Sequence, residues 1–163
     1  MENPASKRLA VSALLSPEAV NLNLAGQQRD TVLTELVNQI AVIAGRPDAQ
    51  QTLLRALQDR EQLHSTGIGD GIALPHARNA LVGLVDEPVI VFGRHADGVP
   101  YGAIDGAPAK LFFLLIAPTV TQHLAILARL SRILRNPKLR KGLLAAETPA
   151  KVIELLRDAE AQI

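Results

Sequence analysis

The strongest constraint on the fold is an apolar segment at residues 110–117. After Lys110 it contains only apolar residues, and it has the length of one β-strand. A strand that is apolar on both faces must be covered on both faces, which is typical of a central strand in an α/β sheet. Helical patterns lie before and after it, so we expect an α/β fold with a central mixed β-sheet flanked by helices on both faces.

The segments before this strand follow from periodicity and from end signals. Alternating apolar residues predict a strand at 20–24, and residues three and four apart predict a helix at 29–43. Asp48 is a candidate N-cap for a second helix. Residues 88–93 read as a further strand, and Asp97-Gly98 and Asp105-Gly106 are turn signals.

The segments after the strand are helical. Thr119 or Thr121 can cap a helix that runs to about residue 135. A short helix at 139–145 and a last helix beginning at Thr148-Pro149 follow. No linker or repeat divides the chain, so we expect a flexible N-terminus at 1–13 and one domain at 14–163.

Composition excludes several functions. Aromatic residues make up 2% of the chain and the net charge is +1, so neither stacking nor a global basic charge indicates nucleic-acid binding. There are no cysteines, which excludes disulfides and cysteine-bound clusters. The longest apolar run is strand-sized, and residues 9–15 lack a good cleavage site, so we expect a cytoplasmic protein without membrane insertion.

One of the four histidines has distinctive surroundings. His76 follows Pro75 and a glycine-rich segment that contains Gly67, Gly69 and Gly71. Glycines let backbone N–H groups approach an anion, and a neutral imidazole is a nucleophile, so this His could carry a phosphoryl group. On these residues alone, an incidental His in a connection between a loop and a strand remains an alternative. His64 and His95 have no comparable surroundings.

The other histidine of interest is His123, in the first turn of the helix after the central strand. Ligands collect at such helix N-termini, so His123 could meet His76 in space, although a purely structural contact is the alternative. The His–His spacings of 12, 19 and 28 residues do not resemble zinc pairs, and we expect no metal and no cofactor.

Charge is uneven along the chain. Between Gly106 and Ala146 there is no acidic residue, while basic residues recur, among them Arg129, Arg132 and Arg135 on one helix flank. Such a flank is usually a solvated face. It could otherwise meet an acidic partner or nucleic-acid phosphates. A non-catalytic binding module with a basic C-terminal face is therefore a distant alternative function.

The string from Ser65 to His76, Ser-Thr-Gly-Ile-Gly-Asp-Gly-Ile-Ala-Leu-Pro-His, with Arg60-Glu61 before it, resembles a known signature. It is that of the enzyme IIA domain of the fructose/mannitol type (type 2) of the bacterial phosphoenolpyruvate-dependent phosphotransferase system. The resemblance extends from about residue 14 to 156. It continues through Ala103-Ile104-Asp105-Gly106 and His123-Leu124.

This resemblance implies a phosphotransferase component with a phospho-histidine intermediate. His76 would be phosphorylated on its Nε2 (tele) nitrogen, with His123 beside it for positioning and Arg60 as the nearby cation. The backbone of Gly67, Gly69 and Gly71 would surround the phosphoryl group. A histidine phosphocarrier protein would be the upstream donor.

The downstream partner has two alternatives under the resemblance. A solitary IIA domain resembles the nitrogen-regulatory type, which acts on a regulated target protein. The runner-up is a free-standing fructose/mannitol-type component that passes phosphoryl to a sugar-specific IIB. Two departures from the pattern bear on partner choice and transfer rate: the apolar segment 78–85, and Asp70 within the glycine-rich string.

Overall fold

The computed structural model describes residues 10–78 and 83–163, which form six α-helices and five strands. The helices are α1 (Val11–Leu14), α2 (Arg29–Asn38), α3 (Pro47–Leu63), α4 (Val120–Ile133), α5 (Pro137–Ala145) and α6 (Pro149–Glu160). The strands are β1 (Val20–Asn21), β2 (Gly67–Gly69), β3 (Ile72–Ala73), β4 (Val89–Val99) and β5 (Ala109–Ile116). Short 3-10 turns at Pro17–Ala19 and Ala41–Ile43 complete the described structure.

The apolar strand β5 is central, as predicted. The sheet order is β1-β4-β5-β3-β2, so two strands lie on each side of β5. β5 runs antiparallel to β4 and parallel to β3, which makes the sheet mixed. Phe112 and Phe113, adjacent in β5, point to opposite faces and are both fully buried, so helices cover the sheet on both sides. The α/β fold is confirmed.

Helix ends follow side-chain chemistry in the second half of the chain. Thr119 caps α4 by accepting a hydrogen bond from the Gln122 N–H, and Thr148 caps α6 by accepting one from the Lys151 N–H. The prediction that Asp48 is an N-cap is wrong. Pro47 occupies the first position of α3, so Asp48 lies in the first turn instead.

Three segments differ from the structure that their pattern predicts. The helix predicted at 29–43 stops at Asn38, and a 3-10 turn follows. The strand predicted at 20–24 is regular only at Val20–Asn21, although the Leu24 N–H still donates to the Arg94 carbonyl. Asp97-Gly98 is not a turn between elements. It lies within β4, where the pairing with β5 shifts register between Arg94 and Val99.

The N-terminal boundary at residue 13 is corrected by the packing of α1. Val11 is fully buried, and the backbone N–H groups of Val11 and Ser12 donate to the Glu160 carboxylate at 2.7 and 2.9 Å. Arg129 pairs with the same carboxylate at 2.9 Å. The packed domain therefore begins earlier than the apolar pattern predicts, because a distant glutamate anchors the backbone there.

No helix among residues 10–78 and 83–163 is long and apolar enough to cross a membrane.

Candidate functional site

The position of His76 is set by the central strand. After β3 the chain stays extended beside β5, where the Leu115 N–H donates to the Pro75 carbonyl at 3.0 Å and His76 pairs with Leu115 in parallel register. His76 therefore lies at the carboxyl end of the parallel β3–β5 pair. In α/β sheets this is the edge where ligands bind.

A backbone contact sets the tautomer of His76. Its Nδ1 lies 2.6 Å from the Leu74 carbonyl oxygen, which can only accept, so Nδ1 carries the proton and donates it. The lone pair is then on Nε2. Among the described residues, Nε2 has no hydrogen-bond partner. The side chain is half-buried, so this nucleophilic nitrogen lies where access from solvent is limited.

The structure brings His123 next to His76. His123 lies in the first turn of α4, is 6% exposed, and its ring centroid is 5.4 Å from that of His76 with the planes inclined at 56°. The helix begins just after β5 ends, which is why 47 residues of separation in sequence are closed in space.

Burial keeps both imidazoles neutral. Burial lowers the pKa of His76 below its ordinary value of 6.5, and the positive charge of Arg60 lowers it further. The Leu74 hydrogen bond and the negative charge of Glu61 act in the opposite direction on this pKa. Burial, with the nearby His76, also lowers the pKa of His123. Both rings are therefore uncharged at neutral pH.

Arg60 reaches the site from α3. It is half-buried, and its Nη1 donates to the His64 carbonyl at 2.6 Å, which steadies the guanidinium near the C-terminus of the helix. Its charge acts on His76, so the two residues share one electrostatic environment. The structure thus brings His123 next to His76, and it places Arg60 where its charge acts on the same ring.

The glycines have a different place from the one predicted. Gly67 and Gly69 lie in β2, and Asp70-Gly71 form the turn of the β2–β3 hairpin, with φ of +56° and +77°. The Gly71 carbonyl accepts from the N–H groups of Lys110 and Leu111, at the start of β5.

This arrangement corrects the predicted glycine cradle. His76 pairs near the end of β5, and the five residue-to-residue steps from Gly71 to His76 span roughly 16 Å along the extended chain. Gly69 and Gly71 therefore build the hairpin and do not surround His76. The Gly67 N–H is already donated to Ser65 Oγ at 3.0 Å.

A buried polar cluster beside the site was not found from the sequence. Glu61 is 5% exposed and accepts hydrogen bonds from the Thr66 N–H at 2.8 Å, the Thr66 hydroxyl at 2.5 Å and the Tyr101 hydroxyl at 2.8 Å. Burial and the Glu61 charge raise the pKa of Tyr101, so the phenol stays protonated and donates. Only the motif Arg60-Glu61 pointed to Glu61 in the sequence.

The remaining sequence candidates are structural or lie elsewhere. His95 lies within β4, not after a strand, and its Nδ1 accepts from the Gly98 N–H at 3.0 Å. On the basic flank, Arg129 pairs with Glu160, so part of that flank holds the fold. In the apolar segment 78–85, residues 79–82 lie outside the described residues, and Val85 is buried in the core.

Comparison with known proteins identifies this architecture. Residues 13–159 match the family described as phosphoenolpyruvate-dependent sugar phosphotransferase system, EIIA 2. This chain belongs to that family, which is the type 2 IIA family of the phosphotransferase system.

The relatives carry two kinds of name. A fructose-specific EIIA component of Haloferax volcanii is 39% identical over 76% of this chain and 80% of that protein. A nitrogen regulatory protein of Pseudomonas aeruginosa is 32% identical over 93% and 97%. The fructose-specific EIIABC component of Bacillus subtilis is 37% identical over 91% of this chain, which spans only 23% of that protein.

Solved structures agree with the fold. The nitrogen regulatory protein IIA-Ntr from Neisseria meningitidis superposes with a TM-score of 0.78 at 25% identity, over 90% of this chain and 98% of that one. The Escherichia coli complex of IIAMTL with phosphorylated IIBMTL contains a chain that superposes with a TM-score of 0.73 at 22% identity, over 89% and 99%.

Proposed function

We propose that this protein carries a phosphoryl group on Nε2 of His76. The observation that carries the proposal is the hydrogen bond from Nδ1 to the Leu74 carbonyl, since it leaves the Nε2 lone pair as the only nucleophilic position of the ring. The neutral state favoured by burial keeps that lone pair available at neutral pH.

The transfer balances without an added acid or base. Nε2 attacks the phosphorus of a phosphorylated histidine on the donor, and the bond from phosphorus to the donor nitrogen breaks. The electron pair returns to the donor ring, whose other nitrogen keeps its proton so that the ring leaves as neutral imidazole. The Nδ1 proton of His76 stays on Nδ1 and bonds to Leu74. The intermediate divides one phosphoryl transfer into two steps. We assign the donor role to a histidine phosphocarrier protein.

Arg60 and His123 support the charge that develops during transfer. A phosphoryl group in transit spreads negative charge over its oxygens, and catalysis then depends on positioning and on electrostatic stabilisation. Arg60 supplies a fixed positive charge, and the His123 ring, centred 5.4 Å from that of His76, supplies an N–H donor and a wall that excludes water.

The test is incubation with phosphoenolpyruvate and the upstream phosphotransfer proteins, followed by intact mass. The wild-type protein should gain one acid-labile phosphoryl group, and His76→Ala should gain none while remaining folded. His64→Ala, which removes an exposed histidine from the end of the neighbouring helix, is the matched control and should gain the group normally. An undiminished mass gain in His76→Ala contradicts the assignment.

The phosphoryl group on His76 could serve regulation or sugar transport, and each of these two functions is supported by a relative. The nitrogen regulatory relative matches over nearly its whole length, which favours a regulator whose phosphorylation state changes what it binds. The fructose-specific EIIA relative has the higher identity, which favours a relay to a sugar-specific IIB.

The regulatory use has a physical basis in the surface around the site. Val120 and Leu124, in the first turn of α4 with His123, are each 59% exposed. Phosphorylation adds about −1.5 to −2 charges, which disfavours an apolar partner packed there. Moving a population from 1:99 to 99:1 needs about 5.5 kcal/mol, so His76 must be buried in such a complex.

Capture from a lysate with phosphorylated and unphosphorylated protein separates the two uses. A regulated target should be retained by the unphosphorylated form alone, and His76→Asp should weaken its binding in part. If both forms retain the same proteins and the phosphoryl group passes only to a IIB component, the relay is correct.

A further inference from the structure

We propose that Glu61 is a positioning residue for the phosphoryl acceptor His76, an inference that rests on the proposed function. Its carboxylate accepts hydrogen bonds from Thr66, and the Thr66 carbonyl accepts one from the Leu74 N–H. The Leu74 carbonyl in turn fixes the tautomer of the imidazole.

The first link joins the buried Glu61 carboxylate to a single residue, Thr66. Both the N–H and the hydroxyl of Thr66 donate to Glu61, at 2.8 and 2.5 Å, and Thr66 is itself 4% exposed. Hydrogen bonds to an ionised carboxylate are roughly twice as strong as neutral ones. The end of α3 is therefore fastened to the residue before β2.

The second link crosses the hairpin. The Leu74 N–H donates to the Thr66 carbonyl at 3.0 Å, beside the pairing of Gly67 with Ala73. The Leu74 carbonyl then accepts the Nδ1 proton of His76 at 2.6 Å. A displacement of Thr66 would shift Leu74, and with it the group that sets the ring's proton.

The charge of Glu61 acts on His76 in addition to this chain of hydrogen bonds. Among the described residues no lysine, arginine or histidine pairs with the Glu61 carboxylate, whose partners are Thr66 and Tyr101. Its negative charge raises the pKa of Arg29, at the start of α2, and that of His76. Among the described residues, the charges that act on His76 are those of Arg60 and Glu61 from α3, and His76 in turn acts on the neighbouring His123 of α4.

The substitution Glu61→Gln tests both effects. Gln keeps the size and one acceptor, and the Thr66 and Tyr101 hydroxyls can rotate to accept from its amide. We expect single-turnover transfer from a phosphorylated histidine phosphocarrier protein to slow by roughly 10–100-fold, by analogy with partners that orient metal-binding histidines. The acid limb of the rate, measured between about pH 5 and pH 8, should move to lower pH because the lost charge favoured the imidazolium.

A second readout reports the tautomer directly. ¹⁵N NMR of the wild-type His76 ring should show the proton on Nδ1, and in Glu61→Gln it should show a mixture of the two tautomers.

Glu160→Gln is the matched control. Glu160 is also a buried glutamate that accepts two backbone N–H groups, but it lies at the end of α6 and pairs with Arg129. Its substitution should lower the unfolding temperature and leave the transfer rate, the acid limb and the His76 tautomer unchanged.

Tyr101→Phe decides the question if Glu61→Gln does not fold. It removes one donor at 2.8 Å from Glu61 and keeps the carboxylate charge. It should slow transfer by a smaller factor and leave the acid limb in place.

The inference and the proposed function fail in different ways. If wild-type protein takes up no phosphoryl group, or His76→Ala takes it up, the proposed function fails. If wild type is phosphorylated on His76 and a folded Glu61→Gln keeps its rate, acid limb and tautomer, Glu61 is structural and only this inference is overturned.

Discussion

The histidine edge and the terminal junction use the same kind of buried group for different purposes. The histidine edge comprises His76, His123, Arg60 and Glu61, and the terminal junction comprises Val11, Ser12, Arg129 and Glu160. Each contains a glutamate less than one-tenth exposed. At the junction the carboxylate meets an arginine at 2.9 Å and two backbone N–H groups, so its charge is compensated locally.

At the histidine edge the compensation is incomplete. Within the described part of the chain, Glu61 has hydroxyl and amide partners but no cation, and the Nε2 of His76 has no partner. A polar cluster whose groups are all paired is typical of a structural role, whereas a nucleophile without a hydrogen-bond partner, beside a carboxylate without an ion-pair partner, is typical of a site. The following predictions test this contrast.

After the loss of His76 itself, the largest effect is expected from the cation and donor of the edge. Arg60→Ala and His123→Ala should each slow phosphoryl transfer about 10²–10³-fold, by analogy with the loss of an oxyanion-hole donor. Binding of the unphosphorylated carrier protein should change little. Single-turnover transfer and a binding titration measure the two quantities, and a rate within threefold of wild type would remove that residue from the site.

The junction should respond in stability and not in rate. Arg129→Ala leaves the Glu160 charge without its arginine, and since Arg129 is 21% exposed we expect a loss of about 1–3 kcal/mol in the free energy of unfolding. Denaturant unfolding measures this loss. Arg132→Ala, on the same helix flank, should cost less than about 0.5 kcal/mol. A transfer rate that falls with Arg129→Ala would erase the contrast between the two regions.

The sequence predicts the fold where pattern and packing agree. The apolar segment at 110–117 predicts a central strand because only burial on both faces tolerates it, and β5 is that strand. Thr119, one of two predicted caps, is the cap of α4, and the last helix begins at Thr148-Pro149 as predicted, because both hydroxyls meet a local need of the helix end. Asp48 fails as a cap because Pro47 already starts the helix one residue earlier.

The site is predictable in its residues and less so in its geometry. The motif singles out His76 as the candidate acceptor, and the position of His123 after the central strand predicts that the two rings meet. Their centroids lie 5.4 Å apart. The glycine cradle is not confirmed, because a glycine-rich string is equally typical of a tight hairpin turn.

The buried polar clusters could not be predicted at all. Glu61 contacts Tyr101 and Glu160 contacts Val11, so these partners are 40 and 149 residues apart in sequence. Both glutamates stand among charged residues of amphipathic helices, where a solvated position is the ordinary expectation.

The pH dependence should be confined to the histidine edge. Burial lowers the pKa values of His76 and His123, so the transfer rate should be constant above about pH 6.5 and fall only at lower pH, as Nε2 becomes protonated. The same shifts make the folded state less stable as pH falls below about 6.5, because the unfolded chain then binds more protons. Rate profiles of wild type and His123→Ala measure the acid limb, and a limb above pH 6.5 would contradict the buried, neutral ring.

The smallest effect is expected from Asp70, whose charge interrupts the glycine-rich string. The hairpin turn holds its backbone at φ +56°, a conformation that Asn tolerates equally well, and its N–H donates to Asp105. Asp70 lies on the far side of Gly71 from His76, so roughly 16 Å or more separates them along the extended strand. That distance exceeds the Debye length of about 8 Å at physiological ionic strength.

Asp70→Asn should therefore leave the transfer rate within about twofold of wild type at physiological salt. A difference should emerge only near 0.01 M ionic strength, where the Debye length reaches about 30 Å. Asp158→Asn, which removes an exposed charge from α6, is the control for a general change in net charge. A large rate change for Asp70→Asn at physiological salt would place the hairpin turn in contact with the donor. The histidine edge would then have to be extended to include the turn.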